Sequence, residues 1–197
     1  MRTDRGFTLI ELLIVVAIIG VIAAVAVPGL LRSKQSANEA SAVKSMRVIH
    51  EAQEIFSGSC GNHFYSPSLS NLGTPPPGGT PFISPDLSEG DTVVKSGYTV
   101  TMGSSGGAVA GAPASCNGLA AGSVVSGFFG TATPLPNGGV ISFGVNTRGT
   151  VYQAYQTTPL AMTDVTAPAG ARPTSNSRPQ STGQTNSSRT WLRGARN

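Results

Sequence analysis

The chain of 197 residues has few charged side chains, few aromatic side chains and only two cysteines. Charged residues make up 11% of the sequence, which argues against a helical bundle or a coiled coil, because these need many Glu and Lys residues in periodic runs. Two cysteines are too few for a disulfide-dense scaffold or for a zinc site built on thiolates. With 25 glycines and 14 prolines, the composition favours a loop-rich β domain, disordered segments or both.

The motifs of common enzyme sites are also missing from the sequence. It has no G-x-S-x-G, no P-loop and no H-E-x-x-H, and we expect His50 and His63 to be ordinary surface or core residues. Asp86, Glu89 and Asp91 are close enough in sequence to offer oxygen ligands to calcium, although a solvated acidic loop is the favoured interpretation. We therefore predict no enzymatic activity, no cofactor and no metal site.

Positive charge is concentrated at the two ends of the chain. Arg2 and Arg5 lie at the start, and five arginines lie near the end at positions 172, 178, 189, 193 and 196. Apart from Trp191, no aromatic residue is interleaved with the C-terminal arginines, whereas nucleic-acid sites commonly combine cations with stacking rings. The sequence therefore identifies no specific nucleic-acid site.

The strongest signal is an apolar run over residues 7–27, in which Glu11 is the single charged residue. As a helix the run would be about 31 Å long, which is enough to span a bilayer. The preceding Arg2 and Arg5 place the N-terminus in the cytoplasm by the positive-inside rule. Three interpretations remain open: a secretory signal peptide cleaved at the small residues 24–26, a plain membrane anchor, or an anchor that is also a packing element.

Glu11 favours the third interpretation. A carboxylate inside an apolar run costs on the order of 2.5–3.5 kcal/mol on membrane-insertion scales. A signal peptide or a simple anchor gains nothing from that cost. An acid at this position is therefore a functional hypothesis, provided that a partner of opposite charge can be named.

The sequence around Glu11 resembles the processing motif of type IV pilins and of the pseudopilins of type II secretion. The similarity covers RGFTLIEL at residues 5–12 and continues through the apolar run to Pro28. A short basic leader ends in Gly6, Phe7 follows, and an acid stands four residues after Phe7. Beyond about the first 30 residues, only the general layout matches.

The resemblance implies cleavage between Gly6 and Phe7 by a prepilin peptidase, followed by N-methylation of Phe7. The new amine of one subunit and Glu11 of a neighbour would then neutralise each other in a fibre core. Removing one partner of a buried ion pair typically costs about 3–5 kcal/mol, so Glu11 would fix the axial register of the subunits. The resemblance also implies that the helix breaks between Gly20 and Pro28 in an assembled fibre. In the isolated subunit we expect one long, gently bent helix.

The remaining pattern predicts an α+β fold of the pilin type, in which a long N-terminal helix packs on an antiparallel sheet of three or four strands. The helix ends at Ser57-Gly58, and Arg47 and Glu51 have a favourable i,i+4 spacing on its solvent side. Predicted strands cover 92–102, 124–133, 140–146 and 149–155, with a hairpin turn at 146–149 and a loop over 57–91. The predicted organisation is a leader (1–6), an apolar helix half (7–28), an amphipathic helix half (29–56), a β-rich head (57–166) and a disordered, basic tail (167–197).

Both cysteines are expected outside the cytoplasm, where thiols are oxidised. We prefer a disulfide between Cys60 and Cys116 to two unpaired thiols, although pilins more often enclose their C-terminal region with such a bridge. In the chain-entropy model this bridge stabilises the protein by about 4 kcal/mol.

The resemblance implies a structural subunit that is held in the bacterial inner membrane and then assembled into an extracellular type IV pilus. Its implied partners are other copies of itself, the prepilin peptidase and the pilus assembly machinery. The implied roles are adhesion, twitching motility, DNA uptake and biofilm formation. Two alternatives remain: a pseudopilin of a type II secretion system, and a secreted binding protein with an ordinary signal peptide.

Overall fold

The computed structural model describes residues 6–174, in which one long helix leads into an antiparallel sheet. Helix α1 spans Leu9–Ser59, helix α2 spans Leu69–Gly73, and a 3-10 turn covers Pro85–Leu87. The strands follow in chain order: β1 Thr92–Lys95, β2 Tyr98–Gly103, β3 Phe129–Pro134, β4 Ser142–Asn146, β5 Val151–Ala154 and β6 Arg172–Pro173. Most of the predicted leader and most of the predicted tail lie outside the described residues.

Helix α1 has 51 residues and is therefore about 76 Å long. It ends two residues later than the sequence predicted. The backbone N–H groups of Cys60 and Gly61 both donate to the carbonyl oxygen of Phe56, at 2.8 and 2.7 Å. These two bonds occupy a carbonyl that would otherwise be left unpaired at the helix end.

The second half of α1 packs one face against the sheet. The residues buried along this face repeat with the helical period, as predicted: Ala42, Met46, Ile49, Gln53 and Phe56. Leu31 lies nearer the start of this half and is 56% exposed, because α1 has no contact with the sheet at that point.

The sheet has six strands in the order β1-β2-β3-β4-β5-β6, and all neighbouring strands are antiparallel. The predicted α+β fold is confirmed, but the predicted number of three or four strands was too low. The segment predicted as one strand over 92–102 is a hairpin, because Ser96 and Gly97 both have positive φ, at 49° and 72°. Two such residues make the tight turn that matches the twist of a hairpin.

The sixth strand corrects the prediction that disorder begins at residue 167. Arg172 and Pro173 pair with Gln153 and Tyr152 of β5, and the N–H of Thr174 donates to the carbonyl oxygen of Val151 at 2.8 Å. Backbone pairing of this kind needs no large apolar side chain, which is why composition failed to predict it. Residues 175–197, which include Trp191, lie outside the described residues.

The segment 57–91 is less irregular than predicted, because it contains α2 and the 3-10 turn. Gln53 of α1 ties this segment to the helix although its own side chain is fully buried. Its Oε1 accepts from the N–H of Ser66 and its Nε2 donates to the carbonyl oxygen of Ser66, both at 2.8 Å. The two bonds satisfy the buried amide, which would otherwise be destabilising.

Two other sequence predictions concern the end of the sheet. The strand predicted over 124–133 begins only at Phe129, because Val124 and Val125 lie in a connection that pairs through isolated bridges. The predicted turn at 146–149 is present, and it is closed by a bond from the N–H of Gly149 to the carbonyl oxygen of Asn146 at 2.9 Å.

Candidate assembly site in the N-terminal helix

The peptide bond between Gly6 and Phe7 lies in extended chain just before α1. Neither residue is helical, and Phe7 is 80% exposed. A Cβ added to Gly6 would meet no atom within 4 Å. Packing within this chain therefore does not require glycine at position 6, and the bond is accessible to an enzyme.

Thr8 caps the helix and sets the position of Glu11. The hydroxyl oxygen of Thr8 accepts a hydrogen bond from the backbone N–H of Glu11 at 3.3 Å. Thr8 and Glu11 have the spacing of a capping box, but the reciprocal bond from the backbone N–H of Thr8 to the Glu11 carboxylate is not formed. Within residues 6–174 the Glu11 carboxylate has neither a hydrogen-bond partner nor an ion-pair partner. It is thus available to a group outside the chain.

Glu11 also lies in the first turn of α1. The backbone N–H groups at a helix N-terminus give that end a partial positive charge, which favours an acid there. This interaction partly offsets the cost of placing a carboxylate among apolar side chains. The compensation is incomplete, because a helix terminus supplies only about half an elementary charge.

The first half of α1 is an apolar rod that touches nothing else in the described chain. Every residue over 6–34 is exposed, although an 18-residue window of the helix has a mean hydropathy of 3.0. The exposed side chains are large, and they include Leu9 at 82%, Ile10 at 66% and Leu13 at 57%. By length and composition α1 is suited to crossing a membrane. A surface of this kind needs lipid or other protein to cover it.

Gly20 and Pro28 do not interrupt α1 in the single chain. A Cβ on Gly20 would meet no neighbouring atom within 4 Å, so the glycine is not required by any contact here. Both residues weaken the helix locally, since glycine has low helix propensity and proline removes one backbone donor. The break between them in an assembled fibre stays a prediction.

Cys60 and Cys116 form a disulfide, which is the pairing preferred from the sequence. Their Cα atoms are 4.9 Å apart, and the N–H of Cys116 donates to the carbonyl oxygen of Cys60 at 3.2 Å. The bridge joins the end of α1 to the glycine-rich connection before β3. Gly61 packs so closely against Phe56 that an added Cβ would lie 2.5 Å from its ring.

The acidic loop does not form a cation site among the described residues. Asp86 pairs with Lys95 at 2.5 Å, and the bond from the lysine holds the pKa of Asp86 below its usual value. Asp91 accepts from the hydroxyl of Ser70 at 2.6 Å, and this bond lowers the pKa of Asp91. The two carboxylates are thus engaged separately rather than together.

The side chain of His50 lies between α1 and the residues Phe128 and Gly149 of the head. Its ring stacks on Phe128 at a centroid distance of 6.1 Å, and its Nε2 approaches Gly149 so closely that an added Cβ would lie 2.5 Å away. Burial lowers the pKa of His50, and the nearby Glu54 and Glu51 oppose that shift only partly. We assign it a packing role.

Sequence analysis missed the capping role of Thr8, although the signal was present. A Thr followed three residues later by Glu, just before an apolar run, is the signature of a helix start. The i,i+4 spacing of Arg47 and Glu51 is also favourable for an ion pair within the helix. Among the described residues neither takes part in an ion pair within 4 Å, so this expectation is corrected.

Comparison with known proteins points to the same end of the chain. The prokaryotic N-terminal methylation motif matches residues 1–27. The type IV major pilin protein PilA of Myxococcus xanthus is 43% identical over 53 residues, which are 27% of this chain and 24% of that protein. The type IV wide pilus major component PilA4 of Thermus thermophilus is 45% identical over 56 residues, which are 28% of this chain and 43% of that protein.

A second group of relatives comes from secretion systems. The type II secretion system core protein G of Escherichia coli is 38% identical over 69 residues, which are 35% of this chain and 46% of that protein. The chain thus aligns with less than half the length of each of these relatives. No solved structure matches the chain significantly. The N-terminal part of the chain thus carries the prepilin-type methylation motif and is similar to the same part of type IV pilins and type II secretion pseudopilins.

Proposed function

We propose that the chain is the structural subunit of a type IV pilus, processed at its N-terminus and assembled through α1. One observation carries this proposal: an apolar rod, exposed along its whole first half, bears in its first turn a carboxylate that has no partner within residues 6–174. Lipid covers such a rod before assembly, and neighbouring copies cover it afterwards.

Processing supplies the missing partner for Glu11. Cleavage between Gly6 and Phe7 creates an amine at Phe7, which keeps its positive charge after N-methylation. The amine of one copy lies at the level of Glu11 in a neighbour that is displaced by about one helical turn. Because a buried charge is tolerated only when it is paired, this interaction selects one axial displacement over the others.

The subunit is first held in the inner membrane, with its leader in the cytoplasm, where the prepilin peptidase cuts it. The assembly machinery then moves it from the bilayer into an extracellular fibre. Adhesion, twitching motility, DNA uptake and biofilm formation are the roles proposed for such a fibre. In this scheme the chain has no catalytic task, and its contribution is mechanical.

Processing can be tested by N-terminal sequencing and mass spectrometry of the mature protein. We expect a chain that starts at N-methylated Phe7. A Gly6→Val variant should retain its leader in nearly every copy and form no fibres, because the leader then blocks the Phe7 amine. Since a side chain at position 6 would meet no atom of the described residues within 4 Å, the variant should fold normally. A mature chain that starts near Val27 would instead support a secreted protein and refute the proposal.

The second candidate function is that of a pseudopilin, and the similarity to core protein G of type II secretion favours it specifically. Both candidates share the processing and packing steps, so the discriminating measurement lies outside the N-terminus. A pilus subunit forms long surface fibres that can be sheared from cells and purified. Deleting a pseudopilin abolishes the export of secreted enzymes and leaves surface fibres intact.

A further inference from the structure

The second half of α1 carries charges on the side opposite its buried stripe. The head reaches this side at two points, because Arg47 lines a groove with Phe143 and Arg172 of the sheet and Glu54 accepts a bond from the hydroxyl of Tyr65 at 3.2 Å. We call this side the outer helix face and define it by Ala40, Lys44, Arg47, Glu51, Glu54, Ile55 and Gly58. All of these are exposed except Arg47, which is half-buried. The face is narrow and combines both signs of charge with small and apolar side chains, and Ile55 is 58% exposed. Such a mixture is suited to close contact with another protein surface.

Arg47 and Glu51 are not neutralised within the described chain. They are one turn apart on α1, yet neither forms an ion pair within 4 Å. Arg172 of β6 and Glu39 of α1 line the same groove as Arg47. Arg172 adds a second cation to this groove, whereas Glu39 already accepts a bond from the N–H of Val140 at 3.2 Å. Arg47 and Glu51 are therefore available to a partner.

The outer helix face is continuous with the side of α1 that carries Glu11. Arg47 lies 36 positions after Glu11, which is about ten turns of an α-helix. Ten whole turns return a side chain to the same direction. In the single chain the carboxylate in the apolar half and the guanidinium in the amphipathic half therefore lie on the same side of α1.

The spacing of these charges repeats that of the processing motif. Glu11 follows the Phe7 amine by four positions, and Glu51 follows Arg47 by four positions, with the cation first in both cases. A displacement of four residues, about 6 Å, brings Glu11 of one copy level with Phe7 of its neighbour. The same displacement brings Glu51 of that copy level with Arg47 of the neighbour.

We propose that Arg47 of one copy pairs with Glu51 of the next and locks the same axial register as Phe7 and Glu11. The partner is thus a second copy of this chain, and the inference rests on the proposed assembly into a fibre. Complementary charges across an interface fix its register and exclude others, because like charges facing each other are strongly unfavourable.

Charge reversal tests the pair in the full-length protein. Arg47→Glu and Glu51→Arg should each lower the yield of sheared fibres about tenfold or more, since each places like charges opposite each other. The double variant Arg47→Glu/Glu51→Arg should restore the yield. Co-expression of the two single variants should also restore the yield. At positions 47 and 51 one variant carries two glutamates and the other carries two arginines, so the two variants can pair with each other. An interaction within one chain cannot be rescued by a second chain.

Lys34→Glu is the matched control, because Lys34 is an exposed cation of α1 that lies outside the outer helix face. It should leave the yield within about twofold of the wild type. If Lys34→Glu is as harmful as Arg47→Glu, reversing any cation of α1 is enough to block assembly, and the proposed pair is overturned. Failure of co-expression to rescue the yield also overturns it. Should the wild-type chain itself form no fibres, the proposed function fails first, so the two failures are distinguishable.

Discussion

A Glu11→Ala strain is expected to insert the subunit into the membrane normally and to assemble no fibres. Insertion depends on the length and hydropathy of the first half of α1, and removing an acid makes that segment more apolar. Assembly needs a counter-charge for the Phe7 amine in a core that excludes water. An amine left without that partner costs about 3–5 kcal/mol at each subunit, and the penalty repeats along the fibre.

The measurement is electron microscopy of sheared surface fractions, together with immunoblots of membrane fractions. Glu11→Gln keeps the size of the side chain and removes its charge, so it should fail as Glu11→Ala does. Glu11→Asp keeps the charge on a shorter stem and should retain part of the fibre yield. Thr8→Val serves as the control for helix capping, and it should affect assembly only mildly, because a lost cap costs about 1 kcal/mol. Abundant wild-type-like fibres from Glu11→Gln would rule out the charge pair.

Replacing both bridged cysteines, in Cys60→Ala/Cys116→Ala, is expected to lower the free energy of unfolding by about 4 kcal/mol. The bridge closes a loop with a sequence separation of 56 residues, so its removal gives the unfolded chain many more conformations. Cys60 is also buried, at 5% exposure, so the change to alanine removes packing contacts as well. The effect approaches the whole stability of a marginal domain.

Urea unfolding of the full-length protein in detergent measures this change, and far-ultraviolet circular dichroism monitors the loss of secondary structure. The wild type treated with a thiol reductant should shift its midpoint in the same direction. Ser59→Ala is the matched control, because Ser59 is exposed, precedes Cys60 and bonds only to the carbonyl oxygen of Ile55. An unchanged midpoint for the double-alanine variant would show that the bridge does not stabilise the fold.

The helix and its buried face could be predicted because both follow from local periodicity. Met46, Ile49 and Phe56 recur at helical spacing, and this pattern alone places them against the sheet. The turn at Ser96 was not predictable in this way, because serine rarely adopts a positive φ and the sequence around it resembles one long strand. Strand β6 escaped prediction because edge pairing uses the backbone and leaves no side-chain signal.

The residues of the candidate site also differ in how far the sequence could predict their roles. Gly6, Phe7 and Glu11 stand out because an acid is rare in an apolar run and its spacing matches a known motif. The state of Arg47 and Glu51 could not be inferred, because i,i+4 spacing permits an ion pair without requiring one. Only the three-dimensional arrangement shows that neither forms an ion pair among the described residues.

The uninterrupted path of α1 from Leu9 to Ser59 also determines how the molecule bears tension. If copies are joined through their first halves, a pull along the fibre is carried by backbone hydrogen bonds that run parallel to the helix axis. The stretch between Gly20 and Pro28 is the weakest part of this helix, so under that condition it opens before the rest of α1. The loop that the disulfide closes beyond Ser59 cannot be drawn out while the bridge is intact. Lengthening would therefore begin in the rod and not in the bridged loop.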